Sequence, residues 1–151
     1  PHYPWTADDQ QWVRNGLRAF PKESPHVKID FEHHRDSYSV TIFYATQFHA
    51  LRHWLCGDDL AFVRSLRCTS PINASGGKSG ADFLATDDGR FIVKQVKKQE
   101  ALTFASPDRY GRTLFYYVDR VLFDQMPSCL TQIYGAFQVQ SHSATGEKRK
   151  R

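Results

Sequence analysis

Residues 81–96 carry the pattern that most limits how this chain can fold. The apolar run "ADFLAT" is followed by the acidic turn "DDG" and then by a second apolar run, "RFIVKQV". Two short apolar runs on either side of an Asp-Gly turn are typical of a β-hairpin. The sequence therefore predicts two antiparallel strands that are joined by a tight turn at Gly89.

Alternating apolar and polar residues predict strands elsewhere in the chain. "VKIDFEH" has Val27, Ile29 and Phe31 on one face and charged residues on the other, which predicts a half-exposed strand. "YSVTIFY" predicts a second strand, with Val40, Ile42 and Tyr44 sharing a face and Phe43 opposite. "CTSPINASGG" is predicted as a loop, and "LTQIYGAFQVQ" as the last strand.

Helical spacing of apolar residues predicts four helices. "DDQQWVRNGLRAF" predicts a short helix with Trp12, Leu17 and Phe20 inward, and "ATQFHALRHWL" predicts one that stops at Gly57. "DDLAFVRSL" begins with acidic residues, which suit the positive N-terminus of a helix. Residues 108–125 predict the longest helix, whose inward stripe would be Tyr110, Leu114, Tyr117, Val118, Val121 and Leu122.

This order of elements predicts an α+β fold, with an antiparallel β-sheet and packed helices. The length of 151 residues and a hydrophobic content of 40% suit one domain with a real core. We expect an N-terminal extension at 1–26, the main domain at 27–140 and a basic flexible tail at 141–151. Both ends of the sequence are expected to continue in a longer polypeptide.

Charge and cysteine content restrict the partners and the setting only loosely. A net charge of +4 permits an anionic partner such as a nucleotide or a lipid headgroup, and the terminal "KRKR" is expected to be a solvated loop. We expect no nucleic-acid partner. Three scattered cysteines without a Cys-x-x-Cys motif favour a reducing intracellular setting over a disulfide framework.

The glycine segment "SGGKSG" at 75–80 is the strongest candidate for chemistry. A Walker P-loop would need glycine where Ile72 stands and a helix after Ser79, so that interpretation is disfavoured. A kinase-like lid is a better fit, because its glycine turn joins two strands over nucleotide phosphates and a lysine on the next strand, here Lys94, reaches them. An ordinary surface hairpin remains an alternative.

Two other patterns are interpreted as coincidental. "HRD" at 34–36 matches the start of a kinase catalytic loop, but Thr41 stands where that motif needs asparagine. His49 and His53 share a helix face, without the glutamate of a zinc-protease helix. We therefore expect no metal site within this chain.

The segment "SPINASGGKSGADFLATDDGRFIVKQ" resembles the ATP-binding hairpin of phosphatidylinositol phosphate kinases. It is most similar to the type III class, the PIKfyve-like phosphatidylinositol 3-phosphate 5-kinases. "VKIDFEH", "LAFVRSL" and "PSCLTQIYGAFQV" extend the resemblance over 27–139. The resemblance implies the N-lobe of a kinase domain with a SAICAR synthase-like, kinase-like fold.

The resemblance also implies roles for individual residues. Lys94 would hold the ATP phosphates, Phe83 and Ile92 would face the adenine, and Glu100 is the candidate partner of Lys94. Asp82 puts a negative charge where the family has a small residue. The phosphate lid would consist of Gly76, Gly77, Lys78, Ser79, Gly80 and Ala81.

The implied reaction is ATP-dependent phosphorylation of phosphatidylinositol 3-phosphate to phosphatidylinositol 3,5-bisphosphate. No catalytic residue is expected within the chain, because the family's catalytic aspartates, its Mg²⁺ ligands and its activation loop would lie beyond Arg151. The protein would act peripherally on the cytoplasmic face of endosomal or vacuolar membranes, with scaffold proteins as further partners. The alternative is a non-catalytic module that binds acidic lipid or protein.

Overall fold

The computed structural model of the chain describes residues 5–34, 36–72, 82–143 and 148–150. Within these residues it confirms the α+β class, with helices beside two small antiparallel sheets. The helices are α1 (Ala7–Arg18), α2 (Ala45–Cys56), α3 (Asp59–Leu66), α4 (Lys98–Phe104) and α5 (Arg112–Phe123), with a π-helical turn at Pro107–Gly111. The strands are β1 (Val27–His33), β2 (Asp36–Phe43), β3 (Thr69–Pro71), β4 (Phe83–Thr86), β5 (Ile92–Lys94), β6 (Ala136–Ser143) and β7 (Lys148–Lys150).

The larger sheet has the strand order β1-β2-β6-β7, and each neighbouring pair is antiparallel. The predicted strands β1 and β2 are confirmed, and His34 turns between them with a φ of 56°. The expectation that β1 buries one face is wrong, because Val27, Ile29 and Phe31 are 45–47% exposed. The last strand begins at Ala136 rather than at residue 130.

The apolar residues of three strands share one side of this sheet. Val27 lies opposite Ile42, which in turn lies opposite Phe137 on β6. Directly opposed residues of an antiparallel pair project to the same face. We call this surface the open apolar face, and its members are Val27, Ile29, Phe31, Tyr38, Val40, Ile42, Phe137 and Val139.

The core lies between the helices rather than under the sheet. Helices α1, α2 and α5 meet there, together with the end of β2. Trp12 was expected to point inward, but it is 47% exposed and its neighbour Val13 is buried instead. The buried cluster consists of Val13, Leu17, Phe43, Tyr44, Phe48, Ala50, Leu51, Phe115 and Val118.

The helix predicted for 108–125 is present but does not begin as an α-helix. A π-helical turn occupies Pro107–Gly111, and α5 begins only at Arg112. Gly111 lies against the ring of Tyr44, where an added Cβ would come within 2.3 Å of Cε1. The most deeply buried side chains of α5 are Phe115 and Asp119, neither of which belongs to the predicted stripe.

The ends of α2 and α3 follow the local signals. Gly57 ends α2 with a φ of 85°, in the left-handed region that favours glycine. Asp58 begins α3 by accepting a hydrogen bond from the backbone N–H of Ala61. The helix predictions for these two segments are therefore confirmed.

The three-part division of the chain stays a prediction. Val13 and Leu17 of α1 belong to the same buried cluster as Phe48 of α2. At the other end, β6 continues to Ser143, and the backbone of β7 pairs with it. In the described part of the chain, every helix is too short or too polar to cross a lipid bilayer.

Candidate functional site

The predicted hairpin, β4-β5, forms two strands of the smaller sheet, whose order is β3-β4-β5. Its turn is built around Asp88, which accepts hydrogen bonds from Thr86 Oγ1 at 2.7 Å and from the N–H of Arg90 at 3.1 Å. Gly89 has a φ of 69° with open space around it. The Asp-Gly signal therefore predicted the turn correctly, because the conformation needs a residue that tolerates positive φ.

Helix α3 holds this hairpin in place. Ser65 Oγ donates to Asp88 at 2.6 Å, and the ring of Phe62 packs edge-on against Phe91 at a centroid distance of 5.1 Å. Arg52 on α2 lies over the Phe62 ring, with its guanidinium carbon 5.0 Å from the ring centroid. These contacts fix β4 and β5 relative to the helical core.

The strand β3 was predicted as loop, and the structure shows Thr69–Pro71 paired antiparallel with β4. The connection between β3 and β4 therefore joins two neighbouring antiparallel strands, as a hairpin lid would. Residues 83–86 form a strand where a Walker P-loop would continue as a helix, so the P-loop alternative is disfavoured. The predicted lid residues, Gly76–Ala81, lie outside the described residues.

The register of the hairpin brings three predicted site residues to one face. Phe83 lies opposite Lys94, and Ala85 lies opposite Ile92. Opposed residues share a face, and so do residues two apart on one strand. Phe83, Ile92 and Lys94 therefore lie on the same side of the sheet, which we call the site face.

Lys94 also meets its predicted partner. Its Nζ lies 3.4 Å from Oε1 of Glu100, and both side chains are partly exposed. Oε2 of Glu100 accepts a hydrogen bond of 2.9 Å from the backbone N–H of Lys97, at the first turn of α4. The N–H of Lys97 and, after it, the ammonium of Lys94 lower the pKa of Glu100, so the carboxylate stays charged at neutral pH.

The position of Asp82 matters because a carboxylate close to bound phosphates would repel them. Its carbonyl accepts a hydrogen bond of 3.0 Å from the N–H of Gln95, which extends the β4-β5 pairing by one residue. Successive side chains of a strand point to opposite faces. Continuing the alternation from Phe83 places Asp82 on the side away from Lys94.

The register adds residues that the sequence patterns had not indicated. Ser70 on β3 lies opposite Ala85. Ile72 donates its N–H to the carbonyl of Phe83 at 3.0 Å, so it borders the apolar part of the site face. Ser70 and Ile72 are identified only by the pairing of β3 with β4. That pairing is not visible in a local sequence pattern.

Both histidines of the pair on α2 contact other side chains of the protein. His49 Nδ1 lies 2.7 Å from Oδ2 of Asp59, and His53 packs against the ring of Trp12. Among the described residues, no three His, Cys, Asp or Glu side chains are grouped to hold a metal ion. Within the "HRD" match, His34 follows β1 and Asp36 begins β2, on a different sheet from Lys94.

The site face offers an ammonium group beside apolar side chains. Lys94 provides the positive charge, and Phe83 and Ile92 provide an apolar surface, of which Ile92 is 66% exposed. A ligand that suits both parts has an anionic end and a flat apolar end. A nucleoside triphosphate has this combination, so the residues present fit ATP.

Comparisons with known proteins show which family this chain belongs to. A sequence profile described as "Phosphatidylinositol-4-phosphate 5-Kinase" matches residues 65–150, which include the whole hairpin, Lys94 and Glu100. This match covers more than half of the chain.

Individual relatives extend the similarity toward the N-terminus. The chain is 32% identical over 129 residues to the mouse (Mus musculus) "1-phosphatidylinositol 3-phosphate 5-kinase", covering 85% of this chain and 6% of the relative. It is 36% identical over 140 residues to "Putative 1-phosphatidylinositol-3-phosphate 5-kinase FAB1C" of Arabidopsis thaliana, covering 85% and 8%. The chain therefore spans less than a tenth of the length of these relatives.

Proposed function

Because the chain belongs to the phosphatidylinositol-4-phosphate 5-kinase family, we propose that it is the ATP-binding part of a lipid kinase. The kinase would transfer the γ-phosphoryl group of ATP to the 5-hydroxyl of phosphatidylinositol 3-phosphate. The product would be phosphatidylinositol 3,5-bisphosphate. The relatives bear the name of this activity, and the observation that carries the proposal is the Lys94–Glu100 pair on the site face.

In this proposal, Lys94, held by its partner Glu100, binds the phosphates of ATP, and the apolar residues of the site face bind its base. Lys94 neutralises and orients the phosphates, while Glu100 keeps its ammonium pointed along the sheet. Phe83 and Ile92 shield the adenine from water. The lid Gly76–Ala81 would donate backbone N–H groups to the phosphate oxygens, because glycine lets the backbone approach an anion closely.

The catalytic aspartates and the Mg²⁺ ligands are proposed to lie outside residues 1–151. When bound, Mg²⁺ would neutralise the negative charge that develops on the phosphates during transfer. We therefore expect this chain alone to bind ATP without transferring phosphate. A steady lipid-kinase rate from the purified chain would contradict that expectation.

ATP binding is tested by calorimetric titration of the chain with ATP. Replacing Lys94→Ala removes a charge-assisted hydrogen bond to phosphate, so we expect Kd to rise by about tenfold or more. The matched control is Lys28→Ala, which removes an exposed lysine from the other sheet and should leave Kd unchanged. Equal affinities for the parent chain and Lys94→Ala would overturn the proposal.

The same variants distinguish an ATP-binding kinase part from a non-catalytic binding module. Vesicles that contain phosphatidylinositol 3-phosphate are mixed with the parent chain and with Lys94→Ala, with and without ATP. Vesicle binding that persists in Lys94→Ala and ignores ATP, together with an absence of ATP binding, would favour a non-catalytic lipid-binding module.

The lipid step is tested in a polypeptide that contains this chain and the catalytic segment expected beyond Arg151. Phosphatidylinositol 3-phosphate and phosphatidylinositol 4-phosphate are compared as substrates, since the family profile is named for the second and the relatives for the first. We expect the 3-phosphate to be preferred, and Lys94→Ala to lower the rate by about a hundredfold. Preference for the 4-phosphate would contradict the proposed substrate. We also propose that the kinase acts on the cytoplasmic face of endosomal or vacuolar membranes, together with scaffold proteins.

A further inference from the structure

Helix α4 carries Glu100 and packs on the core only through its C-terminal end, where Phe104 contacts the buried cluster. It is seven residues long, and none of its residues is buried. Its first turn is closed by Glu100 itself, through the hydrogen bond from Lys97 N–H. So short a helix is not stable alone, and the carbonyls of its last turn need partners from elsewhere.

Two side chains supply those partners at the C-terminal end of α4. The hydroxyl of Tyr44 donates to the carbonyl of Phe104 at 2.7 Å. The Nε2 atom of His26 lies 3.0 Å from the carbonyl of Ala105. These two contacts tie the end of α4 to the junction between β2 and α2.

Tyr44 is itself fixed firmly. It is fully buried, and its φ of 49° lies in the left-handed region, immediately before α2. Its ring makes edge-on contacts with those of Phe104 and Phe115, at centroid distances of 5.6 and 5.4 Å. Burial, and to a lesser degree the nearby Tyr110, raises the pKa of the Tyr44 hydroxyl to about 12, so it remains a donor at neutral pH.

The two contacts of His26 also settle where its ring hydrogen lies. The backbone N–H of Tyr44 donates to Nδ1 at 3.1 Å, so Nδ1 must accept. The carbonyl of Ala105 can only accept, so Nε2 must carry the hydrogen. His26 therefore links the backbone of Tyr44 to the end of α4.

From these contacts we propose that Tyr44 and His26 are positioning residues for the Lys94–Glu100 pair, and that they act through α4. The bond from Lys97 N–H to Glu100 is local to the first turn of α4. The contact of Glu100 with Lys94 Nζ joins α4 to β5, so it depends on where α4 lies. This inference rests on the proposed function, because the pair is taken to orient ATP.

The first test does not involve ATP. Amide hydrogen exchange is measured for Ala101 and Ala105, whose N–H groups bond within α4. Tyr44→Phe removes one anchoring hydrogen bond while keeping the ring, and we expect exchange at these amides to become about fivefold faster. Tyr117→Phe is the matched control, since Tyr117 donates its hydroxyl to Ser128. Unchanged exchange in Tyr44→Phe would overturn the inference.

The second test separates the two hydrogen bonds of His26. His26→Gln keeps an N–H donor near the position of Nε2, whereas His26→Asn keeps an acceptor near Nδ1. We expect α4 exchange in His26→Gln to stay close to that of the parent chain, and exchange in His26→Asn to rise. The opposite order would show that His26 supports Tyr44 and not α4.

The third test asks whether the effect on ATP passes through Glu100. We expect Tyr44→Phe to raise the Kd for ATP about threefold to tenfold. In the double variant with Glu100→Gln, Tyr44→Phe should add nothing further, because the group it positions is already gone. Additive effects would contradict positioning through Glu100. If Lys94→Ala binds ATP as the parent does, the proposed function fails, whereas the exchange results still decide whether Tyr44 and His26 hold α4.

Discussion

Arg14 and Asp119, which are 105 positions apart in the sequence, form an ion pair in which Nε of Arg14 lies 3.0 Å from Oδ1. Arg18 adds a second contact at 2.6 Å, to Oδ2. The carboxylate of Asp119 is fully buried, whereas both arginines reach solvent. This cluster joins the first helix of the chain to α5.

Removing the charge of Asp119 should destabilise the fold. In Asp119→Asn, an amide N–H₂ faces two guanidinium groups that need an acceptor, and we expect the free energy of unfolding to fall by about 2 kcal/mol at pH 7. Urea denaturation measures the change. Asp108→Asn is the control, because the pair that Asp108 forms with Arg112 is solvent-exposed and should matter by less than about 0.5 kcal/mol. Equal effects of the two variants would contradict the assigned role.

The same residue should make stability depend on pH. Burial would raise the pKa of Asp119, but hydrogen bonds from Arg18 and Arg14 outweigh it and lower the pKa below its ordinary value. A carboxyl whose pKa is lower in the folded state stabilises the fold above its unfolded pKa, about 3.9 for aspartate. That contribution is lost as the pH falls from about 4 toward the folded value. The difference between the parent chain and Asp119→Asn should therefore shrink below about pH 4; a constant difference down to pH 2 would contradict this assignment.

Gly111 should tolerate no side chain. An added Cβ would lie 2.3 Å from Cε1 of the buried Tyr44, which cannot swing away. We expect Gly111→Ala to lower the free energy of unfolding by about 2 kcal/mol, measured by thermal or urea unfolding. At Gly135 the nearest atoms belong to the exposed ring of Phe137, so Gly135→Ala should cost less than about 1 kcal/mol. A neutral Gly111→Ala would mean that the π-helical turn adapts.

Glu100→Gln should weaken ATP binding while leaving the stability of the fold almost unchanged. The ion pair with Lys94 is solvent-exposed, so we expect almost no change in the unfolding temperature. The Kd for ATP should rise about threefold to tenfold, because Lys94 loses the carboxylate that orients it. Glu32→Gln, on β1, is the charge-matched control. A large loss of stability without a change in Kd would indicate a structural role for the pair.

The sequence predicted the elements whose signals are local. The strands β1 and β2, the stop at Gly57 and the hairpin turn at Gly89 all follow from alternation or from residues that tolerate positive φ. The strand β3 escaped prediction because its three residues pair only through contacts with β4. The burial of Asp119 escaped it because the partners of this charged residue lie on α1, far away in the sequence.

The site was predicted by a different route. The family resemblance suggested Glu100 as the partner of Lys94, and the structure places the two side chains in contact. Their role in nucleotide binding stays a prediction, and the lid Gly76–Ala81 lies outside the described residues. The support of α4 by Tyr44 and His26 could not be predicted, because no local pattern links position 44 to position 104.

The open apolar face has a practical consequence for experiments on this chain. Isoleucine, valine and phenylalanine side chains from three adjacent strands are in contact with water there, and among the described strands β1 lies at the edge of its sheet. Molecules that present such a surface adhere to one another more as their concentration rises, and association shifts the apparent unfolding midpoint. Variants should therefore be compared at one dilute protein concentration, with light scattering recorded alongside each melt.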